Sequence, residues 1–335
     1  MKKSVTTTII VAVLFPVFMA FIPGCNRNTP QKVEKIIVGA ETVAHASPLW
    51  IAEHKGYFRE EGLTVEIREF ESGRTALRAM LQAEGIDIVT AAQTPVVSNS
   101  FSRNDYAIIG TMAYSGNDVK ILARQDRGIK APSDLKGKIV GITAGSSGHF
   151  FLGLFLTHQR LLMSDVKTID MEATRLSQAL VDGQVDAVAT WEPHIYKAGK
   201  ALGNKALILP SKGLYREDFY FVARKDFIKN QPEALKRFLR AIKKGEEYIQ
   251  KNSKEAMDIV AQRLKMDGEV LTATWGYFQF KLFLDQSILL SLEDGARWSI
   301  RNKLTDATKV PNYLDYIYAD ALKEVNPSAV TMAGK

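Results

Sequence analysis

The segment that most clearly indicates a strand followed by a helix is Gly141-Ile142-Thr143-Ala144-Gly145-Ser146-Ser147-Gly148-His149. It places small residues between a short apolar run that predicts a strand and a longer apolar run that predicts a helix. The first amides of a helix have no partner within the helix, and the helix dipole favours negative charge there. The stretch therefore predicts a strand-to-helix junction that could receive a ligand, although a serine that only caps the helix would leave the same pattern.

On both sides of this junction, predicted strands alternate with predicted helices. Lys35–Ala40 and Thr64–Phe70 are predicted strands, and Pro48–Lys55 between them is a predicted helix. A second block of the same kind begins at Pro132. After Gln231 the pattern is helical with no clear strand, and we expect this tail to pack on the first block. The alternation indicates an α/β fold with a helical C-terminal region.

Three further predicted junctions carry polar or aromatic side chains. Ligands of open α/β sheets lie beyond the carboxyl ends of the strands, so such junctions are candidate binding sites. Each also has a purely structural explanation, such as a helix cap at Ser47, a core position for Trp191 or an ion pair of Glu192 with a lysine. The candidate ligand-binding residues at the four junctions are His45, Ser47, Gln93, Thr94, Gly145, Ser146, Ser147, His149, Trp191 and Glu192.

The N-terminus predicts an export signal. Lys2 and Lys3 precede an uncharged apolar run, Ile9–Ile22, which is shorter than the roughly 20 residues of a bilayer-spanning helix. Cys25 follows three residues after this run. It is the only cysteine of the chain, so an internal disulfide is excluded. We expect residues 1–24 to be a signal peptide and residues 25–34 a lipid anchor with its linker. An ordinary signal peptide with an incidental cysteine is the alternative.

Composition and motifs exclude several classes of function. The chain has 335 residues, 46% hydrophobic and 24% charged, and a formal net charge of +7 that is spread thinly. Nucleic-acid binding would need a concentrated basic stripe, which is missing. The glycine spacing at residues 141–149 fits neither a dinucleotide-binding fingerprint nor a P-loop, and it lacks the G-x-S-x-G elbow of serine hydrolases. We therefore expect a protein that is not an enzyme and that carries no cofactor.

Three segments resemble the substrate-binding proteins of ABC importers for nitrate, sulfonates, taurine and hydroxymethylpyrimidine. The first is Ser47-Pro48-Leu49-Trp50-Ile51-Ala52-Glu53-His54-Lys55-Gly56-Tyr57-Phe58-Arg59-Glu60-Glu61-Gly62-Leu63-Thr64-Val65-Glu66. The second joins Asp134–Lys138 to Gly145–Ser147, and the third joins Asp186-Ala187 to Trp191–Pro193. The likeness spans about residues 35–245.

The resemblance implies a two-lobe periplasmic-binding-protein type II fold with a ligand cleft between lobes and a helical C-terminal region. It implies a five-stranded sheet in each lobe, with crossings near Ala123–Arg127 and Phe221–Arg224. Lobe 1 would then hold residues 35–123 and 224–335, and lobe 2 residues 124–223. The implied protein is an extracytoplasmic monomer, lipid-anchored to the membrane, that delivers a small molecule to an ABC transporter permease.

The resemblance also raises alternatives for the ligand. In sulfonate binders of this family the anionic head lies at the Gly-Ser-Ser stretch, which implies Ser146 and Ser147 for an alkanesulfonate or taurine, with His149 nearby. Glu192 would repel an anion and would suit a pyrimidine-type thiamine precursor. A metal-binding protein that uses His45, His149 and His194 is the third alternative, since histidine is the commonest metal ligand.

Overall fold

The computed structural model describes residues 1, 3–4, 34–211 and 213–332. Residues Val33–Lys335 form a compact unit of their own. The predicted signal peptide, linker and lipidated Cys25 lie almost wholly outside the described residues. No helix in the described part of the chain is both long and apolar enough to span a bilayer.

The strands of the described residues form two sheets. The first sheet has six strands in the order β11-β4-β10-β3-β1-β2, and the second has five in the order β7-β6-β8-β5-β9. We call each sheet with its packed helices a lobe. The strands are β1 Glu34–Glu41, β2 Leu63–Phe70, β3 Ile88–Ala92, β4 Tyr106–Ser115, β5 Lys120–Arg124, β6 Ile139–Ile142, β7 Lys167–Asp170, β8 Ala187–Thr190, β9 Ala206–Ile208, β10 Glu217–Arg224 and β11 Phe278–Phe283.

Helices cover the sheets and make up most of the C-terminal tail. They are α1 Ser47–His54, α2 Tyr57–Glu60, α3 Gly73–Leu81, α4 Gln93–Ser100, α5 Ser147–His158, α6 Ala173–Val181, α7 His194–Leu202, α8 Lys225–Asn230, α9 Pro232–Lys251, α10 Ser253–Leu264, α11 Gly268–Thr274, α12 Ser287–Arg301 and α13 Asp320–Val325.

The expected α/β fold is confirmed, and its connectivity explains where the site lies. β1 runs parallel to β2 and β3 in the first lobe, and β6 runs parallel to β7 and β8 in the second. Parallel neighbours need a crossover connection, which helices supply. β3 is buried along its whole length, as expected for a strand covered on both faces. The carboxyl ends of these strands therefore meet helix starts between the lobes.

The expected lobe boundaries are wrong at both crossings. β5 pairs with β8 and β9, so it belongs to the second lobe, and the first crossing runs through residues 116–119. β10 pairs with β3 and β4, so it belongs to the first lobe, and the return crossing lies between β9 and β10. The sequence of a buried apolar strand does not show which sheet the strand joins. The expected boundaries at 123/124 and 223/224 therefore place most of β5 and β10 in the wrong lobe.

The tail contains one strand that the sequence analysis missed. β11 reads Phe-Gln-Phe-Lys-Leu-Phe, an alternation typical of a strand, and it pairs antiparallel with β4. The first sheet therefore has six strands rather than the expected five. The rest of the tail packs mainly on the first lobe as expected, with α9 against α1 and α12 against α4, while Trp298 of α12 and Glu269 of α11 also contact the second lobe.

Candidate ligand-binding site

A small cavity lies between the two lobes, with an empty volume of about 330 Å³. Its walls come from the ends of β1 and β3, the starts of α3, α5 and β10, the residue after β8, and the first crossing between the lobes. The lining residues are Glu41, His45, Ser72, Gly73, Arg74, Ala92, Pro95, Asp118, Ser146, Ser147, Trp191, Glu217 and Phe219.

Three buried carboxyl groups dominate the chemistry of this cavity. Glu41 ends β1, Asp118 lies in the first crossing, and Glu217 begins β10. Their side chains are 5%, 1% and 2% exposed. Both carboxyl oxygens of Asp118 and Oε2 of Glu217 have no hydrogen-bond partner among the described residues. Buried polar groups normally have partners, and two partners are available here: a proton shared between Asp118 and Glu217, which lie within hydrogen-bond reach of each other, or a donor on a ligand.

Burial raises the pKa of all three carboxyl groups. It raises the pKa of Glu41 to about 7, against the opposing effect of hydrogen bonds from the Gly73 amide and the Trp191 indole. It raises the pKa of Glu217 to about 8. The pKa of Asp118 lies well above its usual range because of burial and, next, the neighbouring charge of Glu217. Without a cation beside them, these groups favour the protonated form.

The cavity also has one cationic wall residue. Arg74, in the first turn of α3, donates from Nη1 to the Ala144 carbonyl at 2.8 Å and from Nη2 to Glu172 Oε1 at 3.0 Å. Both partners belong to the second lobe, so these bonds join the lobes. The Arg74 Nε is buried without a hydrogen-bond partner among the described residues. The cavity thus offers an unused donor at Arg74 as well as the unused carboxyl oxygens.

Aromatic side chains form the remaining walls. Trp191 follows β8, and its Nε1 donates to Glu41 Oε1 at 3.2 Å, which joins the second lobe to the first. The His45 ring stacks on Phe219 with a centroid distance of 3.8 Å. Burial lowers the pKa of His45 to about 3, so the imidazole is neutral. These rings could pack on a flat ligand or on a cationic one.

The start of α5 brings its serines to the cavity because Gly148 lets the helix approach β8. A Cβ at Gly148 would overlap the carbonyl oxygen of Ala189. Ser146 precedes the helix, but its Oγ donates to the Thr143 carbonyl at 2.6 Å instead of capping a helix amide. The free amides at this helix start remain available to an acceptor on a ligand.

A comparison with protein families decides where the chain belongs. The profile of the NMT1/THI5-like family matches residues 44–256, well over half of the chain. The chain belongs to the NMT1/THI5-like family. This match covers α1, both crossings and the start of α5, so it contains all the residues that line the cavity except Glu41.

Two curated relatives and one solved structure place this NMT1/THI5-like chain among binding proteins. It is 26% identical over 216 residues to the taurine-binding periplasmic protein of Escherichia coli K12, across 62% of this chain and 66% of that one. It is 25% identical over 271 residues to the formylaminopyrimidine-binding protein of Halalkalibacterium halodurans, across 78% and 79%. The alkanesulfonate-binding protein of Xanthomonas axonopodis pv. citri, solved with MOPS, matches with a TM-score of 0.71 at 18% identity, across 90% of this chain and 100% of that one.

These matches confirm the suspected family and the expected two-lobe periplasmic-binding-protein fold. The structural match extends over nearly the whole chain, although its low identity shows the fold alone. Similarity of fold leaves the ligand open, which must be argued from the residues in the cavity.

Four of the candidate residues line the cavity of this NMT1/THI5-like protein: His45, Ser146, Ser147 and Trp191. Their contact with a ligand stays a prediction. Thr94 lies just behind the wall, beside the buried phenol of Tyr215.

The other candidate residues are not among those that line the cavity, and they make contacts within the protein. The Ser47 hydroxyl donates to the Ala44 carbonyl at 2.5 Å, and Gln93 Oε1 accepts from the Asp218 amide at 3.0 Å. The Gly145 amide donates to His149 Nδ1 at 3.4 Å. Glu192 forms a buried ion pair with Lys120, 2.7 Å from Oε1 to Nζ, which is the structural alternative that the sequence left open.

The three histidines of the metal alternative do not converge on one site. His45 lines the cavity, whereas the His149 ring contacts Trp298 edge-on and the His194 ring contacts Trp191 edge-on. Among the described residues, no group of three or more histidine, cysteine, aspartate or glutamate side chains could hold a metal ion. The metal-binding alternative is therefore wrong for these residues.

Sequence reasoning missed the three carboxyl groups and Arg74. Asp118 and Glu217 flank the two crossings, and both crossings were expected several residues later. With the crossings placed correctly, the acidic residues beside them would have been recognised as lining the cleft. Arg74 stands in the first turn of a predicted helix after a predicted strand, the same kind of junction that drew attention to Ser146.

Proposed function

We propose that this chain is the extracytoplasmic solute-binding protein of an ABC importer and holds its solute between the two lobes. The observation that carries the proposal is the cavity itself, which both lobes line and which the Trp191–Glu41 hydrogen bond closes. Buried oxygens without partners support a bound solute. The relatives named as binding proteins support the same function.

The delivery route forms part of this proposal. We propose that residues 1–24 direct export, that Cys25 carries the lipid anchor, and that the lobes dock as a monomer on an ABC transporter permease. We expect Cys25→Ser to move the protein from the membrane fraction to the soluble extracytoplasmic fraction, because the chain would lose its acyl attachment. Retention of the Cys25→Ser chain in washed membranes would contradict the anchor.

The cavity favours a solute that carries hydrogen-bond donors. Among the ligand classes raised by the sequence, taurine has an ammonium group and a pyrimidine-type thiamine precursor has an exocyclic amine. Either group could donate to the free oxygens of Asp118 and Glu217. Nitrate and plain alkanesulfonates lack such donors, so they would leave the free oxygens of Asp118 and Glu217 without partners. Arg74 Nε and the amides at the start of α5 could donate hydrogen bonds to the sulfonate of taurine or to a ring nitrogen of a pyrimidine.

A thermal-shift screen of Val33–Lys335 tests this function. The panel comprises taurine, ethanesulfonate, nitrate, an aminopyrimidine and propylamine. A true ligand at 100 times its Kd adds about 2.7 kcal/mol to the free energy of unfolding, which is a shift of a few degrees. We expect stabilisation by at least one compound with an amine. If no compound in the panel stabilises the protein and none is released from natively purified protein on unfolding, the solute-binding function is contradicted.

A further inference from the structure

The geometry points to a seat for a positively charged nitrogen of the ligand between Asp118 and Glu217, whose occupation releases protons and stabilises the joined arrangement of the lobes. This inference rests on the proposed solute-binding function and names the chemistry that the cavity recognises. The ligand class is a small organic amine or amidine, either as a simple cation or as the cationic end of a zwitterion.

The seat consists of the carboxyl groups of Asp118 and Glu217, which lie close enough in the cavity for the charge of one to act on the other. Asp118 and Glu217 both line it; Asp118 lies in the first crossing between the lobes, and Glu217 begins β10 directly after the return crossing. In their ionised state Asp118 leaves two acceptor oxygens unpaired and Glu217 leaves one, whereas in the empty cavity a proton on either group can join the two. An ammonium group has three donors and no acceptor, which matches three free acceptors in number and in sign.

The other charged groups near the seat do not supply the missing cation. Lys120 is committed to Glu192, Arg216 to Asp218, and Arg74 to Glu172. His45 is neutral at ordinary pH. The titratable and charged groups that face the cavity or stand directly behind it are Glu41 of β1, His45, Arg74 of α3, Asp118, Lys120 of β5, Glu192, Tyr215, Arg216, and Glu217 and Asp218 of β10.

A divalent metal ion fits this seat poorly. Calcium takes six to eight oxygen ligands, and magnesium requires near-octahedral geometry. The described residues offer no group of three or more side chains that could hold such an ion. An organic cation needs only donors that match the free oxygens and apolar contact for its body, which Trp191 and Phe219 provide.

Proton release follows from the state of the empty cavity. Burial keeps the pKa of Glu217 at about 8, so Glu217 favours protonation below that pH, and burial raises the pKa of Asp118 as well. A cation stabilises the ionised carboxylates and lowers both pKa values. Binding must therefore release protons, and affinity must increase as the pH rises toward about 8. A plain anion would show the opposite dependence, with affinity increasing as the pH falls.

Calorimetric titration of Val33–Lys335 tests the seat with taurine and propylamine, whose amines carry a positive charge, and with ethanesulfonate as the anion. Taurine and propylamine distinguish a zwitterion from a simple cation. Between pH 6 and pH 8, we expect the affinity for the amine to rise about tenfold per pH unit for each proton that its binding releases. Titration in two buffers of different ionisation enthalpy counts the protons released.

The variants Asp118→Asn and Glu217→Gln test the same seat with nearly unchanged shape. We expect each to weaken the amine by about 10–100-fold and to reduce the proton release. We also expect the melting temperature without ligand at pH 8 to equal or exceed that of the parent, because a buried unpaired carboxyl group is removed. Glu293→Gln, a carboxylate in a surface pair with Arg297, is the matched control and should change neither readout.

The outcomes separate the seat from the broader function. Tight binding of ethanesulfonate that strengthens at lower pH would overturn the seat while the solute-binding function stands. So would amine binding that both variants leave unchanged. If no probe of either charge binds and native protein releases no small molecule on unfolding, both proposals fail together.

Discussion

Replacing Trp191 by alanine is expected to raise the Kd for the bound amine about 100-fold. The Trp191 indole forms a wall of the cavity and donates across the lobes to Glu41 Oε1 at 3.2 Å. A hydrogen bond to a carboxyl group contributes about 1.5–3 kcal/mol, and 2.7 kcal/mol corresponds to a factor of about 100 in Kd. Calorimetric titration of Val33–Lys335 with taurine and with an aminopyrimidine measures the change.

Trp191→Phe separates the two contributions of this side chain. Phenylalanine keeps an apolar wall but cannot donate to Glu41, so we expect a loss of about tenfold. The same comparison controls for stability, since Trp191 also packs in the core of the second lobe. Binding by Trp191→Ala as tight as that of the parent would show that the ligand lies elsewhere.

Replacing Trp50 by alanine is expected to lower the free energy of unfolding by about 3–5 kcal/mol. Trp50 is fully buried, and its Nε1 donates to the Val43 carbonyl at 3.1 Å. The Arg263 guanidinium lies over its ring, 4.7 Å from the centroid. Trp50 is not among the residues that line the cavity, so ligand affinity of the folded variant should remain within about threefold. Urea unfolding measures the stability, and titration of the folded variant measures the affinity.

Trp275→Ala is the matched control for this second prediction. Trp275 is half-buried, and its Nε1 donates to the exposed Ser253 hydroxyl at 3.0 Å. Its loss should cost about 1 kcal/mol. Equal destabilisation by the two tryptophan variants, or a binding defect of Trp50→Ala at normal stability, would contradict a structural role for Trp50.

Local patterns in the sequence predicted those parts of the site that follow directly from a strand. Ser146, Ser147 and Trp191 lie at junctions where an apolar strand gives way to small or polar residues, and all three line the cavity. His45 was found in the same way. In each case the position depends on neighbours along the chain, which is the information that a single sequence carries best.

The parts that depend on pairing between distant segments could not be read in this way. Whether β5 joins the first or the second sheet is decided by its partners β8 and β9, some 65 to 85 residues further along. That choice placed the crossings wrongly and hid Asp118 and Glu217. Glu192, by contrast, looked like a ligand contact, but Lys120 on β5 neutralises it.

Small-angle X-ray scattering of Val33–Lys335 at pH 8.5 tests the central claim most directly. The unit is measured alone and then at saturation with taurine, with propylamine and with ethanesulfonate. The Trp191–Glu41 and Arg74–Glu172 bonds join the lobes in the structure. At pH 8.5 the ionised Glu217, whose pKa is about 8, opposes this arrangement in the empty cleft, so a cation beside it should stabilise the joined lobes. If a cation binds between Asp118 and Glu217, we expect a smaller radius of gyration with at least one of the two amines and no change with ethanesulfonate. Compaction by ethanesulfonate, or by none of the three, would contradict it.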